Sequence, residues 1–154
     1  MRRTLPTPPV TASEAEGMAL ATGARFLDGL SCTEAILEAV CHLAGLDPRP
    51  LMPLASGFRG GMGQAGCPCG ALVGGVMAIG LFVGRCDESD TDLPALRLAR
   101  RLHDGFIARF STTCCRALNG NDFESPEHDS RCADITAETT RMTLEILREA
   151  CEAG

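Results

Sequence analysis

Cysteine is the residue type with the most chemical potential in this chain, because nine of its 154 residues are cysteines. Two of them stand in the segment Gly66-Cys67-Pro68-Cys69-Gly70-Ala71, at the start of an apolar stretch. An odd number of cysteines cannot all pair in disulfides within one chain. The chemistry open to these thiols is metal or cluster ligation, thiol–disulfide exchange, or burial as small core side chains.

Cys67 and Cys69 are predicted at the N-terminus of a helix over residues 68–84, with Pro68 in its first turn. The unpaired amides and the dipole at a helix N-terminus favour a thiolate, which is the form that binds metals and attacks electrophiles. A Cys-x-Cys pair in this position therefore indicates ligation or redox chemistry.

Three other cysteines are predicted at or near the N-termini of further helices. Cys32 follows a predicted N-cap, and Cys132 falls in the predicted first turn of the last helix. Cys115 follows Cys114 directly, and adjacent side chains point in different directions, so we expect one of these two at a given site. Thiols that share this placement can converge on one centre.

The remaining cysteines and the histidines carry weaker signals. Cys41 lies nine residues after Cys32, which places the two thiols on opposite faces of one helix. We expect Cys41, Cys86 and Cys151 to be core or surface thiols. The three histidines, which we expect in solvent rather than at a metal, are His42, His103 and His128.

A glycine-rich segment precedes the Cys-x-Cys pair. Residues 57–66 contain five glycines, which tolerate left-handed backbone and close approach. Such a segment can fold its amides around a bound group, and Gly60, Gly61 and Gly63 are the candidate cofactor-binding residues.

The elements that must position these residues are helices. Ser13 and Glu16 form a predicted capping box for a first helix that ends near Asp28, and Ser31 and Glu34 repeat the signal. The helix over residues 68–84 is apolar on all sides, which is typical of the centre of a bundle. Alternating strand patterns are absent from the sequence. The predicted fold is an all-α bundle of about five helices. Three further helices are predicted, from about residue 31 to 45, 92 to 110 and 130 to 152, with a short turn at 114–118.

Length and composition bound the organisation and the partners. We expect a flexible tail over residues 1–10 and one cysteine-rich domain over residues 11–154. The net charge of −6 excludes a phosphate-binding surface, so we expect no nucleic-acid partner. The N-terminus has no apolar leader, and the longest apolar run, residues 71–83, is too short to span a membrane. We therefore expect a cytoplasmic protein, and a homodimer, because a small bundle hides such an apolar segment poorly.

The order of the cysteines resembles the redox-active family named for its C–GCAxxG–C–C pattern, which is similar to part of the split-Soret cytochromes. The resemblance covers about residues 15–150. It rests on Cys32, the segment Ser56-Gly57-Phe58-Arg59-Gly60-Gly61-Met62-Gly63, the block Cys69-Gly70-Ala71-Leu72-Val73-Gly74, the segment Cys115-Arg116-Ala117-Leu118, and Cys132. The block reads CGAxxG instead of GCAxxG, and we assign Cys69 to the family position.

The resemblance implies a helical fold and a redox or iron–sulfur role. It does not imply haem, because the chain has no Cys-x-x-Cys-His motif. The favoured hypothesis is an iron–sulfur electron carrier, most simply [2Fe–2S], whose predicted ligands are Cys32, Cys69, Cys115 and Cys132, with Cys67 as a further candidate. Amides of the glycine-rich segment would donate to its sulfides.

Two alternatives remain open at this point. The first is a thiol–disulfide enzyme in which Cys69 attacks and Cys67 or Cys115 resolves the mixed disulfide. The second is a structural zinc or metal-carrier protein. The redox partner protein is not indicated by the sequence.

Overall fold

The computed structural model describes residues 10–152, and these residues form helices and loops with no strand. This confirms the predicted all-α fold. Among the described residues, five helices have 12 or more residues, and two single-turn α-helices and one 3₁₀ helix, Ser56–Phe58, lie between them. In chain order the helices are α1 (Ala12–Leu27), α2 (Cys32–Leu43), α3 (Met52–Ala55), α4 (Gly70–Val83), α5 (Pro94–Phe110), α6 (Cys115–Leu118) and α7 (His128–Glu152).

The capping boxes of α1 and α2 set where both helices begin. At α2 the predicted box is confirmed: Ser31 accepts from the amide of Glu34, whose carboxylate accepts from the Ser31 amide. At α1 the predicted start is wrong, because Thr11 and Glu14 form the box. Thr11 with Glu14 and Ser13 with Glu16 both fit the capping-box pattern, and the helix begins at the first of these pairs.

Helix α4 lies at the centre of the bundle and packs against α2, α5 and α7. Its predicted start is also wrong. The helix begins at Gly70 with Cys69 as its N-cap, so Pro68 precedes the helix instead of lying in its first turn. The Cys67–Pro68 peptide bond is cis. One face of α4 is exposed at Val76 and Gly80.

Small residues bring the start of α4 close to the start of α2. The Thr33 hydroxyl donates to the Gly70 carbonyl over 2.8 Å. A Cβ at Gly74 would lie only 3.1 Å from the Cα of Thr33. Cys32, the neighbour of Thr33, is thereby held beside the first turn of α4.

Helix α7 is the longest helix described, with 25 residues, and it packs along α1. It begins at His128, earlier than predicted, so Cys132 lies more than one turn inside the helix. Its buried face carries threonines whose hydroxyls each donate to the carbonyl four residues earlier. They are Thr136, Thr139, Thr140 and Thr143.

The predicted tail over residues 1–10 lies outside the described residues except for Val10. Val10 is buried and packs with Ala15 and Leu144. Between residues 10 and 152, no helix is both long enough and apolar enough to cross a membrane.

Candidate functional site

Cys67 and Cys114 form a disulfide. Two backbone hydrogen bonds, 2.7 and 2.9 Å long, join residues 66–69 to residues 113–116 on either side of it. Cys67 is exposed and Cys114 is half-buried, so the bond lies near the surface. Cys67 was a candidate metal ligand and resolving thiol, and the structure pairs it with Cys114 instead.

A second pair, formed by the thiols of Cys69 and Cys115, lies on the same two segments. Each thiol acts on the pKa of the other as a hydrogen-bonding neighbour. The hydrogen bond from the Cys69 thiol lowers the pKa of Cys115, and Asn119 and Arg116 lower it further. Burial of Cys115 acts in the opposite direction. The same bond and burial raise the pKa of Cys69 well above its ordinary value. The pair therefore favours a thiolate on Cys115 and a protonated thiol on Cys69.

This distribution differs from the expected thiolate at Cys69. The amides of Ala71 and Leu72, in the first turn of α4, do lower the pKa of Cys69. The hydrogen bond that Cys69 donates to Cys115 and its near-complete burial raise the pKa by more than these amides lower it, since burial disfavours the charged form.

The third pair joins the start of α2 to α7. The thiols of Cys32 and Cys132 are in hydrogen-bond contact, and this contact together with burial raises the pKa of Cys132. Cys132 is buried and Cys32 is half-buried. All four predicted ligands are therefore found in contacting pairs, Cys69 with Cys115 and Cys32 with Cys132.

Asn119 connects the two thiol pairs. Its side chain is only 2% exposed. Its Nδ2 donates to the Cys115 carbonyl over 2.9 Å and lies 3.9 Å from Cys115 Sγ. Its Oδ1 accepts from Cys132 Sγ at 3.5 Å. One carboxamide therefore touches one sulfur of each pair.

His128 completes this contact. Its Nδ1 lies 2.9 Å from Oδ1 of Asn119 and 3.8 Å from Cys132 Sγ. A carboxamide oxygen can only accept, so the short contact requires the proton on Nδ1. His128 is half-buried at the site, and the expectation that it lies in solvent is wrong.

The glycine-rich segment reaches the thiol pairs at two of its three candidate positions. Gly60 lines the pocket described below. Gly61 has φ +74, and a Cβ there would lie 2.9 Å from the Cβ of Cys115. Gly63 has no neighbour within 4 Å of an added Cβ. The amides of Gly61 and Gly63 donate to carbonyls of the same segment, so in this structure they are not free for a bound group.

A pocket of about 370 Å³ opens onto the thiols. Cys32, Cys115 and Cys132 line it, while Cys69 lies behind Cys115. The remaining lining is partly aromatic and partly polar. It includes Phe26, Phe58, Phe123, Arg59, Gln64, Glu124, His128 and Asp129.

The thiols supply sulfur donors of the kind that iron–sulfur clusters and zinc require. Between residues 10 and 152, however, no three Cys, His, Asp or Glu side chains form a group that could hold a metal ion. The donors are present as two pairs, which does not match the three or four ligands of a single zinc ion.

The other cysteines lie away from these pairs. Cys41 is fully buried in the core of α2, and burial, together with the charge of Asp47, raises the pKa of its thiol. Cys86 and Cys151 are exposed.

Cys114, Asn119 and His128 belong to the site but were not predicted from the sequence. For Cys114 a signal existed, because Cys67-x-Cys69 and Cys114-Cys115 are two doublets that can pair with each other. For Asn119 and His128 there was none, since their roles depend on how α6 and α7 dock.

Residues 10–152 form an all-helical protein in which three cysteine pairs join the starts of α2, α4 and α6 and the second turn of α7, and this defines a cysteine-rich protein equipped for redox chemistry. The family model described as "Putative redox-active protein (C_GCAxxG_C_C)" matches residues 30–146, which include all three pairs. The chain belongs to this family. No curated protein and no solved structure was found to match it.

Proposed function

We propose that this protein is a dithiol–disulfide redox protein whose reacting pair is Cys69 and Cys115. The observation that carries the proposal is the placement of an oxidised pair and a reduced pair on the same two segments. Residues 66–69 and 113–116 hold the Cys67–Cys114 disulfide and, beside it, the contacting thiols. The sulfurs of Cys69 and Cys115 need only lose two electrons and two protons to form a second such bond.

The environment of the two thiols supports different roles for them. Cys115 lines the pocket and carries the favoured thiolate, so it is the attacking sulfur. Cys69 lies behind it, protonated and buried, as the resolving thiol. This reverses the roles expected from the sequence, in which Cys69 attacks.

The exchange proceeds in two steps. Cys115 thiolate attacks one sulfur of a substrate disulfide, forms a mixed disulfide and releases the other sulfur as a thiolate. Cys69 then gives up its proton to that leaving thiolate and attacks Cys115 Sγ. This attack breaks the mixed disulfide and releases the second substrate sulfur as a thiolate, which takes a proton from water. The products are the Cys69–Cys115 disulfide and two substrate thiols.

The Cys67–Cys114 disulfide is the point where we propose that a redox partner protein makes contact. Cys67 is exposed, so a partner thiolate can reach its sulfur. We propose a cytoplasmic setting, in which an external dithiol returns the pairs to their reduced forms.

A second candidate is an iron–sulfur electron carrier, the function favoured by the sequence. The grouping of four thiols as two pairs linked by Asn119 supports it, because a [2Fe–2S] cluster takes two thiolates on each iron. Cys32 and Cys132 would hold one iron, and Cys69 and Cys115 the other. The cluster would supply one-electron transfer.

Metal analysis and a thiol count separate the candidates. Protein purified without oxygen is brown and contains iron if it carries a cluster, and contains zinc if it is a zinc protein. As a dithiol–disulfide protein it is colourless. Its seven free thiols then fall to five on mild oxidation, as the Cys69–Cys115 bond forms. A colourless protein whose thiol count stays at seven contradicts the proposal.

A further inference from the structure

The attacking sulfur, Cys115 Sγ, can be reached only from inside the pocket. Cys69, Cys115 and Cys132 are each 3–5% exposed. Cys115 and Cys132 line the pocket, so a molecule inside it touches a sulfur of each pair. A substrate disulfide must therefore enter this space before Cys115 can reach it.

The size of the pocket limits what can enter. A volume of about 370 Å³ lies at the small end of the range for small-molecule sites. Attack requires the thiolate to approach along the axis of the disulfide bond, so the substituent on the attacked sulfur must also fit. A disulfide of a folded protein carries a backbone on each sulfur, with Cα atoms about 4.4–6.8 Å apart. Two chains of that width do not fit around the buried Cys115.

The walls of the pocket indicate which substituents fit. Phe26, Phe58 and Phe123 come from three separate elements, and all three rings are half-buried at the pocket. The Arg116 guanidinium lies 5.0 Å from the centre of the Phe123 ring, which holds that ring in place. The charged side chains Arg59 and Glu124 are exposed at the rim.

We infer that the pocket selects low-molecular-weight disulfides that carry an apolar or aromatic substituent, in preference to protein disulfides. This inference rests on the proposed function. The substituent packs against the phenylalanine rings while the disulfide faces Cys115. The two-step exchange then yields two small thiols and the Cys69–Cys115 disulfide, and an external dithiol such as dithiothreitol restores the pair.

The test compares two disulfides on the reduced protein: 2,2′-dithiodipyridine, which is small and aromatic, and insulin, which is a protein. The readout is the rate of Cys69–Cys115 bond formation divided by the rate of Cys151 modification. Cys151 is exposed, so it corrects for the intrinsic reactivity of each disulfide. In the double variant Cys67→Ser/Cys114→Ser, any cross-link between the tryptic peptides 60–85 and 110–116 is Cys69–Cys115, because no other cysteine remains there.

We expect the ratio to be at least about tenfold higher for 2,2′-dithiodipyridine than for insulin. Phe58→Ala should lower it for the small disulfide, whereas Leu54→Ala, at a residue 63% exposed on α3, should not. Equal ratios for the two disulfides overturn the inference and leave the proposed function standing. If Cys151 reacts and neither reagent forms the Cys69–Cys115 bond, the proposed function itself fails. Should the double variant not fold, the same cross-links are assigned in the wild type by fragmentation.

Discussion

The Oδ1 atom of Asn119 accepts a hydrogen bond from Cys132 Sγ at 3.5 Å. The other end of the same carboxamide donates to the Cys115 carbonyl. Its Nδ2 also lies 3.9 Å from Cys115 Sγ, so one buried side chain contacts a sulfur of each thiol pair. This arrangement makes Asn119 the residue that sets the relative position of the two pairs.

Asn119→Leu should test this role, because leucine keeps the volume and removes every hydrogen bond. His128 Nδ1 and Cys132 Sγ would lose their partner, whereas the Cys115 carbonyl keeps the backbone amide of residue 119. We expect a cost of about 1–3 kcal/mol in the free energy of unfolding. Urea unfolding measures the loss. Asn121→Gly is the control, since Asn121 is exposed with φ 63 and glycine adopts that backbone freely. Equal stability of the two variants would show that the hydrogen bonds of the Asn119 side chain do not stabilise the site.

Cys69→Ala should make Cys115 less reactive at pH 7. The hydrogen bond from Cys69 is the largest cause of the lowered pKa of Cys115, so its removal raises that pKa and reduces the thiolate fraction. We expect alkylation of Cys115 by iodoacetamide to slow, because a higher pKa leaves a smaller fraction of thiolate at a pH below the pKa. Peptide mass spectrometry across a pH series gives the rates.

Cys69→Ser is the matched variant, because its hydroxyl still donates to Cys115. It should keep the alkylation rate of Cys115 near that of the wild type while abolishing the Cys69–Cys115 disulfide. Cys41→Ser, at a core thiol remote from the site, should change neither property. If Cys69→Ala, Cys69→Ser and Cys41→Ser alkylate Cys115 alike, the hydrogen bond has no chemical role.

Gly61→Ala should perturb the site more than Gly63→Ala does. Both residues have positive φ, so both variants carry a backbone strain of about 1–2 kcal/mol. At Gly61 the added Cβ would also lie 2.6 Å from the Cys67 amide nitrogen and 2.9 Å from the Cβ of Cys115. Overpacking at Gly61 should lower the free energy of unfolding by about 1–3 kcal/mol more. Thermal unfolding and Cys115 alkylation should both separate the two variants, and equal behaviour would mean that the close approach is unimportant.

The predicted homodimer should depend on the exposed face of α4. Val76 is 37% exposed on a helix that carries no charged residue, and Gly80 beside it is exposed. Sedimentation at micromolar concentration should give a dimer for the wild type and a monomer for Val76→Glu, because a carboxylate buried in an apolar interface is costly. Leu96→Glu, at a residue 68% exposed on α5, is the control. A monomeric wild type removes the prediction.

Local signals allowed much of the fold to be predicted. The Ser31–Glu34 capping box places the start of α2 correctly, and the apolar pattern predicts the central helix α4 but not its exact start. Both signals depend on neighbouring residues. The start of α1 was wrong because two overlapping capping patterns, at Thr11 and Ser13, satisfy the same local rule.

The pairing of the cysteines could not be predicted in the same way. Cys67 meets Cys114 across 47 residues, and Asn119 meets Cys132 only after α6 has docked on α7. Helix N-terminal position indicated a thiolate at Cys69. In the structure the thiolate is favoured at Cys115, because the hydrogen bond between the two thiols shifts their pKa values more than the amides of α4 do. Such a contact leaves no trace in local spacing.

A redox titration shows whether Cys69 and Cys115 interconvert between two thiols and a disulfide. The Cys67→Ser/Cys114→Ser variant is equilibrated without oxygen in a series of reduced and oxidised dithiothreitol mixtures. Acid quenching and mass spectrometry then give the fraction cross-linked. We expect a reversible transition from dithiol to disulfide with a two-electron slope of about 30 mV per tenfold change in the ratio of oxidised to reduced pair. Iron bound at Cys32, Cys69, Cys115 and Cys132, with no cross-link at any potential, would contradict it.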